Sequence, residues 1–192
     1  YGISVALGDY ISRMDSDDIA LSNKLEKQIN FLLAHPEIDV LGSYSIDFTE
    51  NPEEGIKFRD VYKYPINHKD FALYIPWKSA FSQPTTIIKK DTLIQNGGYK
   101  FGFFGEDNEL WIRLYEAGAI FHNLPEVLLN RRLHNKQLTK QTYDNNVSAE
   151  VIAYLMMYYI KTGKLKFLLR AISHLKSFYW IKKIIKKVAN IK

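Results

Sequence analysis

Three carboxylates, Asp15, Asp17 and Asp18, crowd into four positions separated by two residues from the strand-like run Tyr10-Ile11-Ser12. Any fold that accepts this cluster must hold it where charge is neutralised. Backbone alternation sends Asp15 and Asp17 to one side, where two anions repel unless a divalent cation or hydrogen-bond donors face them. Hard oxygen ligands suit Mg²⁺ or Mn²⁺, and a metal held by one or two carboxylates completes its shell with water and substrate phosphates. The segment therefore points to a nucleotide-activated substrate at the end of a strand. Asp-Ser-Asp-Asp is equally good turn and helix-capping material, so this segment alone leaves both readings open.

A second acidic cluster, Glu106-Asp107-Asn108-Glu109, opens a stretch in which Leu110, Trp111 and Leu114 recur at helical spacing. Asp107 falls in the first turn of that helix, where the N-terminus favours the ionised carboxylate. Helix capping is the alternative role for Glu106 and Asp107, and Trp111 reads as core rather than as a sugar platform. Asn123-Leu124-Pro125-Glu126-Val127-Leu128-Leu129 follows, then the basic group Arg131, Arg132 and His134.

Taken in order, these stretches resemble the family 2 glycosyltransferases of the GT-A fold, which transfer a sugar from a nucleotide-diphosphate donor with inversion. The resemblance runs from about residue 3 to about residue 141. Besides the two acidic clusters it includes Ala6-Leu7-Gly8-Asp9-Tyr10-Ile11, Leu25-Glu26-Lys27-Gln28, His35 to Ser43 and Gly97-Gly98-Tyr99. It implies that Asp15 and Asp17 hold Mn²⁺ or Mg²⁺ against the donor diphosphate, with Asp17 the direct ligand. It implies Asp107 as catalytic base and Glu106 as the second candidate, without a covalent intermediate. Asp15, Arg132 and His134 would meet the diphosphate, Arg132 through its planar fork. Relatives often carry an aromatic residue where Arg131 stands, so which arginine faces the phosphates stays open.

The implied fold is an α/β mixed sheet of the Rossmann-like GT-A type flanked by helices, with a basic helical tail: a domain over residues 1–145 and a helical region over 146–192. Relatives open with a strand and a helix-strand unit that bind the nucleobase, and no counterpart of that pocket is visible here. The expectation is an N-terminally truncated domain with an open sheet edge. Donor, acceptor and location follow from the same resemblance: a nucleotide-diphosphate sugar, a UDP-sugar first, and a glycan or lipid-linked saccharide, used in surface polysaccharide synthesis in the cytoplasm or on the inner face of the membrane. Two other classes remain in view, a non-catalytic membrane-associated or partner-binding module and a metal-dependent nucleotidyltransferase.

Patterning supports one α/β domain. The expected elements are a helix ending at Gly8, a capping box at Asn23 and Glu26 opening a helix through Leu33, and a strand over residues 38–48. A polar loop around residues 51–55 would border the acceptor site. A strand over residues 84–88, a helix to Asn96 with a Gly97-Gly98 turn, and strands at 119–122 and 127–133 complete the set. No cysteine is present, which excludes a disulfide framework and a thiolate metal site.

Charge divides the chain. Residues 161–192 hold 10 of the 26 basic residues and none of the 21 acidic ones, leaving the preceding part with 16 basic against 21 acidic, a net −5. In that tail Leu165, Leu168, Leu169, Ile172 and Leu175 share one helical face. Ile181, Ile184, Ile185 and Val188 share the next, opposite Lys182, Lys183, Lys186 and Lys187, with Phe178, Tyr179 and Trp180 between. Such a helix lies on an anionic membrane or packs on a protein core; no groove-binding motif supports nucleic acid. The ten-residue apolar run Val151 to Ile160 is shorter than the roughly 18 residues of a spanning helix and reads as a buried one.

Overall fold

The computed structural model describes residues 1–51, 53–100, 105–134 and 145–175. Two compact units form, Tyr1–Lys100 with Asp107–Gln137, and Phe101–Glu106 with Leu138–Lys192.

The first unit is built on a six-stranded mixed sheet of β1 (Tyr10–Ser12), β2 (Ile19–Ala20), β3 (Val40–Asn51), β4 (Gly55–Tyr62), β5 (Ile87–Lys89) and β6 (Phe121–Arg132). The order is β1-β5-β3-β6-β2, with β4 paired to β3 off this path. β3 and β6 run parallel, and β5 is antiparallel to both β1 and β3. It follows that β1, β3 and β6 all point the same way. β1 is the end strand of this order.

Helices cover both faces. α1 (Gly2–Val5) precedes β1, α2 (Lys24–Ala34) follows β2, α3 (His68–Tyr74) follows β4, α4 (Lys90–Gln95) follows β5 and α5 (Glu106–Glu116) precedes β6. Leu32 of α2 joins Ile38, Leu41, Ile87, Leu124 and Leu128 in a fully buried cluster. The opposite face is aromatic: Phe81 lies 4.9 Å from Trp111, 5.2 Å from Phe71 and 5.2 Å from Phe121 between ring centroids. Trp111 is thus core, as its spacing indicates. Gly42 faces this aromatic layer because nothing larger fits: a Cβ there would run into the Asn123 amide and the Phe81 ring.

Several elements depart from expectation. Asn23 is the N-cap of α2, but its side chain caps nothing and its Oδ1 is buried without a partner, so the capping box does not form. Pro84 and Thr85 belong to a 3₁₀ turn, Gln83–Thr85, and the strand starts only at Ile87. Pro84 sits in the first positions of that turn, where its missing N–H costs nothing. The two strands expected around Pro125 are one. β6 passes Pro125 and Glu126 through a bulge, its partners jumping from Ser43↔Leu124 to Tyr44↔Val127. Asn51 pairs with Gly55 at the closed end of a β3–β4 hairpin, and β4, exposed throughout, was not foreseen.

The second unit contains α6 (Asn145–Thr162) and α7 (Leu165–Ser173). Only Tyr154, Leu155 and Tyr158 of the apolar run in α6 are buried, while Ile160 is exposed, so this helix is half-buried rather than buried. In α7 the buried residues are Phe167 and Ala171, with the Phe167 ring 5.7 Å from Tyr158. On the leucine face, read from the sequence as lying on a membrane or packing on a core, Leu165 is 58% and Leu169 49% exposed. The amphipathic pattern from Lys176 onward lies outside the described residues. Among the described residues no helix is long and apolar enough to cross a membrane.

Candidate active site

Strand direction builds the site. β1 and β6 point the same way, β1 ending at the level of His122 and β6 running ten residues further to Arg132, so the loop after β1 leaves the sheet on the side towards which β6 extends. The acidic segment then crosses on that side, from the end of β1 to β2, which pairs with β6 beyond β3 and β5. Open α/β sheets bind ligands at this margin, outside the carboxyl ends of their parallel strands.

Each carboxylate of the acidic loop has its own neighbour. Asp17 Oδ2 lies 2.9 Å from His134 Nε2, bringing together residues 117 apart in sequence, both about three-eighths exposed. Asp18 Oδ1 accepts the Arg132 backbone N–H at 2.9 Å. Asp15 Oδ1 is 3.7 Å from Arg13 Nη2. Burial pushes the Asp18 carboxyl up to about 6, with the Arg132 amide opposing and the charges of Asp17 and Asp15 adding to the rise. Asp18 is therefore the strut that ties the loop to β6, a role the sequence reading did not assign.

The two arginines separate cleanly. Arg131 donates to both oxygens of buried Asp47, at 2.7 and 3.0 Å, and stacks 4.6 Å from the Tyr62 ring centroid. Its fork is committed to the fold. Arg132 lies beside the loop, donating from Nε to the Asp17 carbonyl at 2.9 Å and pairing with Glu50, its guanidinium 4.7 Å from the Phe48 ring centroid. Of the pair, Arg132 is the one whose side chain bonds to the acidic loop, while the Arg131 charge reaches only Asp18.

Asp107 stands in the first turn of α5, its Oδ1 accepting the Asn108 N–H at 2.8 Å. Glu106 begins the same helix. The helix is fastened by Glu109, fully buried, which takes a bidentate bond from Arg113 at 2.8 and 2.9 Å. Arg113 also donates to the carbonyls of Asn96 and Gly98. The Gly97-Gly98 turn, both residues at positive φ, is thereby clamped to α5. Tyr99 follows. The Arg13 guanidinium lies 5.5 Å from its ring centroid, and burial pushes its hydroxyl up, with the Asp107 charge adding to the rise against Arg13. Asp107, Tyr99, Arg13 and Asp15 thus form a sequence of neighbours joining the helix to the acidic loop. Glu109 and Arg113 were legible as an i, i+4 ion pair, but only the structure shows what they clamp.

The donor set suits a hard divalent cation in part. Asp17 and His134 already meet on an accessible rim, and Asp15 is two residues away on the same loop. Among the described residues no three His, Asp or Glu side chains converge into a complete metal cage. A cation there would need oxygens from its substrate, as Mg²⁺ and Mn²⁺ sites on phosphates usually do.

An α/β sheet carrying an acidic loop and a basic pair at one margin is the scaffold of GT-A-type glycosyltransferases. The model of the family "Glycosyl transferase family 2" matches residues 1–96, and the chain belongs to that family. It is 30% identical over 179 residues to the amylovoran biosynthesis glycosyltransferase AmsE of Erwinia amylovora, covering 91% of this chain and 65% of that protein. It is 39% identical over 142 residues to the O-antigen biosynthesis glycosyltransferase WbnJ of Escherichia coli, covering 73% of this chain and 54% of that one. The chain thus spans roughly half to two-thirds of the length of these relatives. Its fold is shared with the mannosyltransferase PcManGT of Pyrobaculum calidifontis, solved in complex with GDP-Man and Mn²⁺, at a TM-score of 0.54 and 14% identity, over 91% of this chain and 48% of that one.

Proposed function

We propose that this chain carries the catalytic margin of an inverting glycosyltransferase that moves a sugar from a nucleotide-diphosphate donor to a glycan or lipid-linked saccharide in surface polysaccharide synthesis. The observation that carries the reading is the meeting of Asp17 with His134 at 2.9 Å, since capping alone gives no reason for two distant motifs to converge. Their relatives in amylovoran and O-antigen biosynthesis support the same substrate class.

Asp107 is the base: its carboxylate takes the proton of the acceptor hydroxyl as that oxygen bonds to the anomeric carbon, and the bond from that carbon to the diphosphate oxygen breaks. The nucleoside diphosphate departs with the electron pair, and the configuration inverts. Asp15, Asp17 and His134 would hold Mn²⁺ or Mg²⁺, which when bound neutralises charge on the leaving diphosphate. Arg132 supplies a fixed cation beside the same oxygens. Glu106 orients the acceptor. A UDP-sugar is the first donor to test and GDP-mannose the second. The exposed leucines of α7, set among Lys164, Lys166 and Arg170, suit peripheral contact with an anionic membrane.

The test is divalent-metal-dependent release of nucleoside diphosphate from UDP- and GDP-sugars, with lipid-linked acceptors, by the protein expressed from its complete reading frame. One donor is expected to turn over, and Asp17→Asn and Asp107→Asn each to lower kcat at least a hundredfold. If no donor turns over and neither substitution changes anything, the acidic clusters are caps and a non-catalytic binding module is the better reading.

A further inference from the structure

We propose that Lys24 is an anion-binding residue, and that the anion is the diphosphate of the nucleoside diphosphate handled at the acidic loop; this inference rests on the transferase reading above. Lys24 is only 2% exposed. Among the described residues its ammonium has one hydrogen-bond partner, Ser12 Oγ at 3.4 Å, and no ion-pair partner. Burial pushes its proton affinity down, as expected of a cation withdrawn from water without a counter-charge. Its position adds to the cost. Lys24 is the first residue of α2, an eleven-residue helix, and the positive end of a helix disfavours a cation and favours an anion.

A side chain held in this way destabilises the fold, so packing alone does not account for it. At the N-cap of the same helix, Asn23 Oδ1 is likewise buried, without a partner. Ser12 is the last residue of β1 and is exposed, and the acidic loop begins with the next residue. The ammonium therefore lies beside the start of that loop, one hydroxyl away from solvent. An anion arriving there would gain the ammonium and the Ser12 hydroxyl, while the loop carboxylates are occupied by the divalent cation.

The test combines binding with stability. Inorganic pyrophosphate, UDP and GDP are titrated calorimetrically, with and without Mn²⁺, into the protein expressed from its complete reading frame and into its Lys24→Met, Lys24→Arg and Asp17→Asn variants. Lys24→Met is expected to weaken pyrophosphate and nucleoside diphosphate binding roughly ten- to a hundredfold, the worth of a charge-assisted hydrogen bond, while Mn²⁺ binding alone is kept. Its thermal midpoint is expected to rise by roughly 2–6 °C, because a buried charge is removed. Lys24→Arg should keep most of the affinity. If Lys24→Met binds like the wild type while Asp17→Asn does not, the proposal fails and the transferase reading stands. A fall in stability with unchanged affinity would likewise overturn it and make Lys24 structural. Absence of diphosphate binding by the wild type with any metal would sink both.

Discussion

Replacing Arg113 by Met should cost more than any other single change at the surface of α5, because of what the guanidinium holds. It donates twice to Glu109, a fully buried carboxylate, and twice more to the carbonyls of Asn96 and Gly98. Methionine keeps much of the apolar stem, so the loss is chiefly electrostatic. Breaking a buried pair by removing one partner costs about 3–5 kcal/mol, because the other charge stays behind in a poorly solvated place. For a chain of this size that lowers the thermal midpoint by about 6–20 °C. Urea unfolding of Arg113→Met, Glu109→Gln and the double variant measures it. The double variant should recover at least about half of the loss, since no buried charge is then stranded. A single-variant loss below about 1 kcal/mol, or strictly additive losses, would show that the clamp does not hold the helix to the Gly97-Gly98 turn.

The remaining predictions concern packing and titration. Gly42→Ala should lower stability by about 1–3 kcal/mol, because its Cβ meets buried Asn123 and the Phe81 ring; an unchanged urea midpoint would refute that packing. Tyr64 is pushed up to about 12 by burial, against the charge of Arg131. Between about pH 10 and 12 the folded state keeps a proton that the unfolded chain releases, so this residue's contribution makes stability fall as pH rises through that window. Comparing the tyrosinate absorbance of the wild type with Tyr64→Phe tests this: a difference appearing near pH 10 rather than near 12 would show Tyr64 to be ordinary.

The parts of the fold that were legible in the sequence are those set by local pattern. α2, α5 and the long strand β3 follow from apolar periodicity, and Gly97-Gly98 from the need for positive φ. The junction at Pro125 was not legible, because a proline inside a strand ordinarily ends it. Here a bulge lets β6 continue, and only the pairing with β3 supplies the reason. β4 escaped for a similar cause: exposed along its whole length, it has no buried face to impose alternation, and its partner β3 holds it. The leucine face of α7 shows the limit of a helical wheel, which identifies the residues that share a face but not what that face meets; here Phe167 and Ala171 are the buried ones.

The site follows the same division. Motif position picked out Asp15, Asp17, Arg132 and His134, with Asp17 as the direct ligand, but it gave Asp18 no role and left open which arginine faces the phosphates. The fold answers both points through hydrogen bonds made across the sheet margin. Asp18 is taken by the Arg132 amide and Arg131 by Asp47, which leaves Asp17, His134 and the Arg132 side chain together at the rim. The strut and the chemistry are thus interleaved: Asp18 fixes where β6 ends, and the end of β6 sets where Arg132 and His134 stand relative to Asp17. A substitution at Asp18 would therefore reach the proposed metal site by displacing its partners, without Asp18 itself touching a metal or a substrate.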